Sequence, residues 1–363
     1  MRAFRFSSTL LAATLLLSPA NAAADTTLCV GDIAGLRTAL QAWTAAPPGV
    51  FTIAVMRGTL SIDNAAGATL GQFASSSTAS LRLLGGYGPD CAERVLDPRT
   101  TVVDGRNEFG AKLQLIGVRG DVLIEGISFT RLSDGVDVVH DGSIAANGHR
   151  LRVAHSRIVG NDTTRGSGVA YTLRLWGVGA GSGAEVAVEN SLIANNVNQG
   201  FSLTSVLTTG SGGRVVLTGS TIARNRVDVG AAGIRLQTFA TSGISYLVTN
   251  NIAWGNGTAG VSCDIDVSNA QTPAVTYTLA GAIDGAIAPT ATNLAADPRF
   301  LSAVAGNFRL APNSPALDAG DLAQAALPAT DLDGAARVAG AAPDLGAYED
   351  LPGDRIFYGD LGG

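Results

Sequence analysis

The chain is poor in charge, in rings and in sulfur. Of its 363 residues only 15% are charged and 6% aromatic, and it has a single lysine, Lys112, with three histidines, three cysteines and two methionines. Each scarcity excludes something. With 24 basic against 30 acidic side chains the net charge is −6, so no basic face is expected to neutralise phosphates, which argues against nucleic acid as a partner. His140, His149 and His155 crowd into one short stretch, which invites a metal or acid/base reading. No second group of His or Cys ligands accompanies them, so structural roles are expected and no metal site. Beyond the first residues no apolar run approaches the ~20 needed to cross a bilayer as a helix, so no transmembrane segment is expected.

What is abundant is glycine, with 46 residues, and a repeat. Leu151–Asn161 (LRVAHSRIVGN) returns at Val186–Asn196 (VAVENSLIANN) and Val215–Asn225 (VVLTGSTIARN). Looser copies stand at Tyr246–Asn256, with Asn251 at the Ser place, and at Val122–Leu132, with Phe129 for Ile and no Asn. A spacing of about 30 residues is the period of a solenoid. Each copy is followed, after a loop, by a Gly-led alternating stretch, such as Gly135-Val136-x-Val138, Gly168-Val169-x-Tyr171-x-Leu173 and Gly233-Ile234-x-Leu236. Alternation means strands with one face in the core. The odd step from Val153 to Ser156 demands a corner between them. Strand, corner, strand, Asn-marked turn and third strand, stacked at about 4.8 Å, predict three parallel sheets. The chain is therefore expected to be all-β, a right-handed parallel β-helix, the hand following from the preference of parallel crossovers.

The rest of the chain is organised around that body. Arg2 and Arg5, the apolar Leu10–Leu17 and the alanines before Asp25 read as a signal peptide over 1–24, cleaved near Ala22 to Ala24. The protein is then expected to be secreted or held at the cell surface, as a monomer. Ile33, Leu36, Leu40 and Trp43 at helical spacing behind Asp32 predict a short helix capping the stack. The β-helix with its cap is assigned to 25–290, with entrance strands near Phe51–Val55, Leu81–Leu84, Thr101–Val103 and Leu113–Leu115, and Gly58–Ser80 expected to project as a loop. A Pro-, Gly- and Asp-rich closing region over 291–350 should pack against the last coils, and 351–363 reads as a flexible tail. Cys263 shares the inward parity of Val261, Ile265 and Val267, which leaves Cys29 and Cys91 as the expected disulfide. Three free thiols are the alternative.

Asp297-Pro298-Arg299-Phe300, Ser314-Pro315-Ala316-Leu317-Asp318-Ala319-Gly320, Thr330-Asp331-Leu332-Asp333-Gly334 and Asp344-Leu345-Gly346-Ala347-Tyr348-Glu349 resemble the choice-of-anchor-Q type of C-terminal region. More broadly the chain resembles bacterial right-handed β-helix proteins of the pectin-lyase-like superfamily. That resemblance implies an exported solenoid, in a family that includes polysaccharide lyases. The Asn-Thr-Asp and Gly-His-Gly signatures of polygalacturonases are absent here.

Candidate chemistry is sparse. Asn161, Asn196, Asn225 and Asn256 are expected to stack as a structural ladder, the Asn taking left-handed backbone in the turn. Asp331-x-Asp333-Gly334 opens like a calcium loop but lacks its closing acid, so an Asp-rich turn is expected and no cofactor, with calcium the alternative. The remaining surface is the outward face of the third strand. Aligned on their glycines, the copies place Asp137 beside Ala170, Ser202, Arg235 and Ser262, Gln237 beside Thr172 and Asp264, and Asp141 beside Arg174, Val206, Phe239 and Asp266, with Trp176 nearby. On this alignment Asp141 and Arg174 pair. Asp137, Asp141, Arg174, Trp176, Arg235, Gln237 and Phe239 would suit an extended extracellular polysaccharide or cell-surface glycan, whose hydroxyls want planar donors and acceptors and whose rings want aromatics. Asp137 and Asp141 lie about 13 Å apart along a strand, too far for a glycosidase pair. The expected role is therefore non-catalytic carbohydrate binding or adhesion, the alternative a polysaccharide lyase or glycoside hydrolase.

Overall fold

The computed structural model describes residues 25–166, 171–179, 181–198, 205–227, 233–238, 243–258, 261–267, 272–288, 290–324 and 327–351. The expected signal peptide and all but the first residue of the expected tail lie outside them, as does Phe239.

Apolar alternation becomes a parallel β-helix. The first sheet runs through Thr26–Val30, Val50–Met56, Ser80–Tyr87, Val122–Glu125, Arg150–Ala154, Glu185–Glu189, Arg214–Thr218 and Ser245–Trp254, every neighbour parallel. The second runs from Gly58–Ser61 through Arg157–Val159, Leu192–Ala194 and Thr221–Ala223 back to Ser245–Trp254. That ten-residue strand passes through the corner and so joins the two sheets. Among the described residues the third sheet has eight strands, among them Leu113–Val118, Val136–His140, Leu173–Gly177, Ser205–Thr209, Ile234–Thr238 and Ile265–Asp266. The repeat register is as expected: Ile158 lies opposite Ile193, and Ile193 opposite Ile222, all buried. Between the sheets one continuous apolar core runs from Val30 to Ala280.

At the N-terminal end, helix Ile33–Trp43 closes the stack. The Asp32 side chain accepts from Gly35 N at 2.7 Å, supplying the cap that the first turn lacks, and Ile33, Leu36, Leu40 and Trp43 are buried. The Trp43 indole donates to Ala79 O at 3.1 Å. Cys29 and Cys91 form a disulfide, and Cys263 is a buried free thiol. The segment Gly58–Ser80 does not project. It forms a full coil with strands Gly58–Ser61 and Gln72–Ala74, because Leu60, Ile62, Leu70 and Phe73 are buried in the core.

Two ladders hold the corners. In the Asn ladder, Asn196 Oδ1 accepts both Asn161 N and Asn161 Nδ2, Asn225 Oδ1 accepts both from Asn196, and Asn256 Oδ1 accepts both from Asn225. Each Nδ2 of Asn196, Asn225 and Asn256 also donates to a carbonyl of the previous coil. The left-handed residue is not the ladder Asn but the one before it: Gly160, Asn195, Arg224 and Gly255 have φ between 54 and 67°. The turn needs the ladder side chain to face inward along the stack, so the strain moves one position back. The second ladder is made by the serines: Ser191 Oγ accepts Ser156 N, Ser220 Oγ accepts Ser191 N, and Asn251 Oδ1 accepts Ser220 N.

The C-terminal segment reaches further than the last coils. Phe308, Leu332, Ala347 and Tyr348 cover Leu192, Ala194 and Ala223 on the outward face of the second sheet, while Leu310, Ala316 and Leu345 pack on Ile252 and Leu279. This explains why LIA and TIA are buried on both faces. Asp333 pairs with Arg99 at 3.2 Å, far back along the stack.

Candidate functional site

The outward side chains of the third sheet fall into columns, but not those expected. Asp137 lies opposite Gln114 on one side and Arg174 on the other, followed by Val206, Arg235 and Asp266. Val139, Trp176, Thr208 and Gln237 form the next column. Alignment on the glycines therefore slips by four residues at Arg174, Val206 and Asp266. A slip of four leaves every side chain on its proper face, so period-two alternation cannot detect it, and the loops before these strands differ in length.

The consequence is a different set of pairs. Arg174 binds Asp137 through two hydrogen bonds, Nε to Oδ1 at 2.8 Å and Nη2 to Oδ2 at 2.6 Å, and Gln114 Nε2 donates to Oδ2 at 2.9 Å. Arg235 binds Asp266 at 2.5 Å. Asp141 pairs not with Arg174 but with Arg119 at 2.8 Å, and two bonds from Ser143 hold its carboxyl down at about 2, with the Arg119 contact adding to the effect. Such an acid stays ionised and is a weak base, so Asp141 is poorly suited to proton transfer. Asp137 and Asp266 are buried under their arginines. Asp264, placed by the alignment on the outward face, is instead buried and ends the Asn ladder, its Oδ1 accepting Asn256 N and Nδ2 while Oδ2 accepts Ala282 N at 2.9 Å. A carboxylate is the fitting terminus there, since it accepts from both sides without needing to donate onward.

What the column presents to solvent is a guanidinium among rings. Arg174 Cζ lies 5.2 Å from the Tyr171 ring centroid and 5.7 Å from that of Trp176, and Tyr171, Arg174 and Trp176 are each half-buried. Gln237 is half-buried two coils below Trp176. The alternation Gly168-Val169-x-Tyr171-x-Leu173 gives Tyr171 the inward parity of Leu173, but the strand begins only at Leu173, so that parity does not hold for Tyr171 and its ring lies beside Arg174 instead.

The histidines and the remaining perturbed acids serve the fold. His140 is buried beside His149, ring centroids 5.5 Å apart, and burial together with the His149 charge lowers its pKa. His155 sits at the corner with φ 46° and bonds Asn190 at 2.8 Å. In the calcium-like turn, Asp331 Oδ1 accepts the amides of Asp333 and Ala335, and Oδ2 accepts that of Glu349. Asp344 and Glu349 likewise accept backbone amides around the buried Arg337. Among the described residues no group of three or more His, Cys, Asp or Glu could hold a metal ion.

These buried groups set a pH dependence. Burial raises Asp344 to about 6 and Glu349 to about 7, so the native state holds protons that the unfolded chain has lost, and their stabilising contribution disappears as pH rises through 6 and 7. Burial lowers His155 to about 4, so its contribution has the opposite sign, present above pH 6.5 and lost as pH falls through 4. Urea denaturation at pH 6 and 8 should show lower stability at 8, with Glu349→Gln flattening that slope. The same pH 6 to 8 change in the parent and in Glu349→Gln would refute the assignment, since the histidine contributions are common to both.

No family model matches the sequence, and no curated protein matches it. Among solved structures, one described as the crystal structure of pectate lyase Pel9A is similar at 15% identity, covering 85% of this chain and 90% of that one, with a TM-score of 0.30. So loose a superposition carries no argument about chemistry, and the parallel β-helix rests on the strand pairing itself.

Proposed function

We propose that this protein is an exported, non-catalytic β-helix module that binds an extracellular glycan on the outward face of the third sheet, as a monomer and without a cofactor. The observation that carries the reading is the half-buried Tyr171–Arg174–Trp176 group: ring faces for sugar C–H surfaces beside a planar donor already oriented by Asp137. The carboxylates of this face, Asp137, Asp141 and Asp266, are each tied to an arginine, which favours binding over lyase or hydrolase turnover. The disulfide favours an oxidising compartment.

A glycan array on the full protein, run with an assay for release of unsaturated uronate, tests this. Trp176→Ala should weaken binding of the ligand found by about tenfold or more, as truncating an aromatic anchor does, with the melting temperature held. Equal affinity for parent and variant would sink the reading. Turnover that Asp141→Asn abolishes while binding survives would replace it with the enzyme.

A further inference from the structure

Asn-Gly occurs twice in the sequence, at Asn147-Gly148 and at Asn256-Gly257, and the fold gives the two copies opposite surroundings. The pair matters chemically because glycine has no Cβ to shield its backbone nitrogen, so that nitrogen can reach the side-chain amide of the asparagine before it. In the Asn ladder the approach is blocked. Asn256 is 1% exposed, its Nδ2 donates to Ile222 O at 2.9 Å and to Asp264 Oδ1 at 2.8 Å, and its Oδ1 accepts Asn225 N and Nδ2. Gly257 N is likewise committed, donating to Asn225 O at 2.9 Å.

At Asn147 none of this holds. Asn147 and Gly148 are exposed at the tip of the turn that leads into strand Arg150–Ala154, and neither the Asn147 side chain nor Gly148 N has a hydrogen-bond partner among the described residues. The turn is closed by His149 N donating to Ala146 O at 3.0 Å. Gly148 takes its third place with φ 75°, a left-handed position that suits glycine. A Cβ on Gly148 would meet nothing within 4 Å, so the space a reacting side chain needs is open. The ends of the turn are held, since Ala146 N donates to Ser182 O at 3.0 Å and Arg150 N to Asp121 Oδ1 at 3.0 Å. A change at the tip therefore need not disturb the coils.

We infer that Asn147 is a site of spontaneous covalent modification, by deamidation through a cyclic imide. Gly148 N attacks Asn147 Cγ, the amide proton passes through solvent to the side-chain nitrogen, and the Cγ–Nδ2 bond breaks with release of ammonia. Water then adds to one of the two imide carbonyls. Opening at Cγ leaves aspartate on the original backbone, whereas opening at the backbone carbonyl leaves an isoaspartyl link, in which the chain runs through the side chain. Either product places a new carboxylate in the turn that holds His149, a negative charge that the translated chain lacks. The inference goes beyond the proposed function, since it concerns another part of the molecule and needs no ligand.

Incubation of the folded full-length protein in mildly alkaline buffer, followed by ion-exchange chromatography and peptide mass spectrometry, tests it. A more acidic species should accumulate, with the exchange of NH2 for OH on the peptide that holds Asn147, as a mixture of aspartyl and isoaspartyl forms. The Asn147→Asp variant should elute with it, and Asn147→Gln, which would have to close a larger ring, should form none. Asn147 should convert faster than Asn256 by about tenfold or more, since the ladder must open before Asn256 can react, and the gap should close in urea-unfolded protein. The inference is overturned if Asn147 stays intact in the folded protein, if Asn256 converts there as fast, or if only the aspartyl form appears, since direct hydrolysis of the side chain gives no isoaspartate.

Discussion

Ile193→Asp is expected to unfold the protein or leave it barely folded at room temperature. Ile193 sits 1% exposed in a column in which Phe129, Ile158, Ile193, Ile222 and Ala253 lie opposite one another on successive strands of the second sheet. A carboxylate there has no partner, and its desolvation costs several kcal/mol against a total stability of about 5–15 kcal/mol. In a solenoid each coil is stabilised by its two neighbours, so the damage extends along the stack. Ile193→Val is the control and should cost only about 0.5–1.5 kcal/mol. Thermal and urea denaturation followed by circular dichroism measure both. An Asp variant as stable as the parent would show the column to be misplaced.

Replacing Cys29 and Cys91 together by serine should produce the other large loss. The disulfide ties the first strand, Thr26–Val30, to the turn Pro89–Cys91 after the third strand of the same sheet, closing a sequence separation of 62 residues. Chain-entropy reasoning puts the effect of such a loop at about 4 kcal/mol, with observed losses of about 2–5 kcal/mol on removing native disulfides. The capping helix lies inside the loop, so its end of the solenoid should open first. Cys263 should not compensate: burial, with nearby acids, pushes its thiol up to about 12, and it should react with alkylating reagents only after unfolding. Equal denaturation midpoints for the double serine variant and the parent, or labelling of native Cys263, would contradict these assignments.

The repeat, its period and its parity determined the architecture. A copy such as LRVAHSRIVGN specifies which residues face the core and where the chain must bend, and these are local properties of a strand. The N-terminal helix was legible for the same reason, since Asp32, Ile33, Leu36, Leu40 and Trp43 are a cap and a stripe. The ladder asparagines were legible as a column, although the left-handed strain falls on the residues before them. What only the tertiary structure decided was alignment across variable loops and closure by distant segments. Arg174 pairs with Asp137 rather than Asp141 because a register slip of four preserves alternation and is invisible to it. Asp264 ends the Asn ladder because the chain folds back after Asn256, which no spacing encodes. The outward Leu192 and Ala194 are buried only because residues beyond 300 return to cover them. The candidate sites depend on those same non-local choices: a pattern of strands states which face a side chain takes, and the packing of coils and loops alone states which neighbours it meets there.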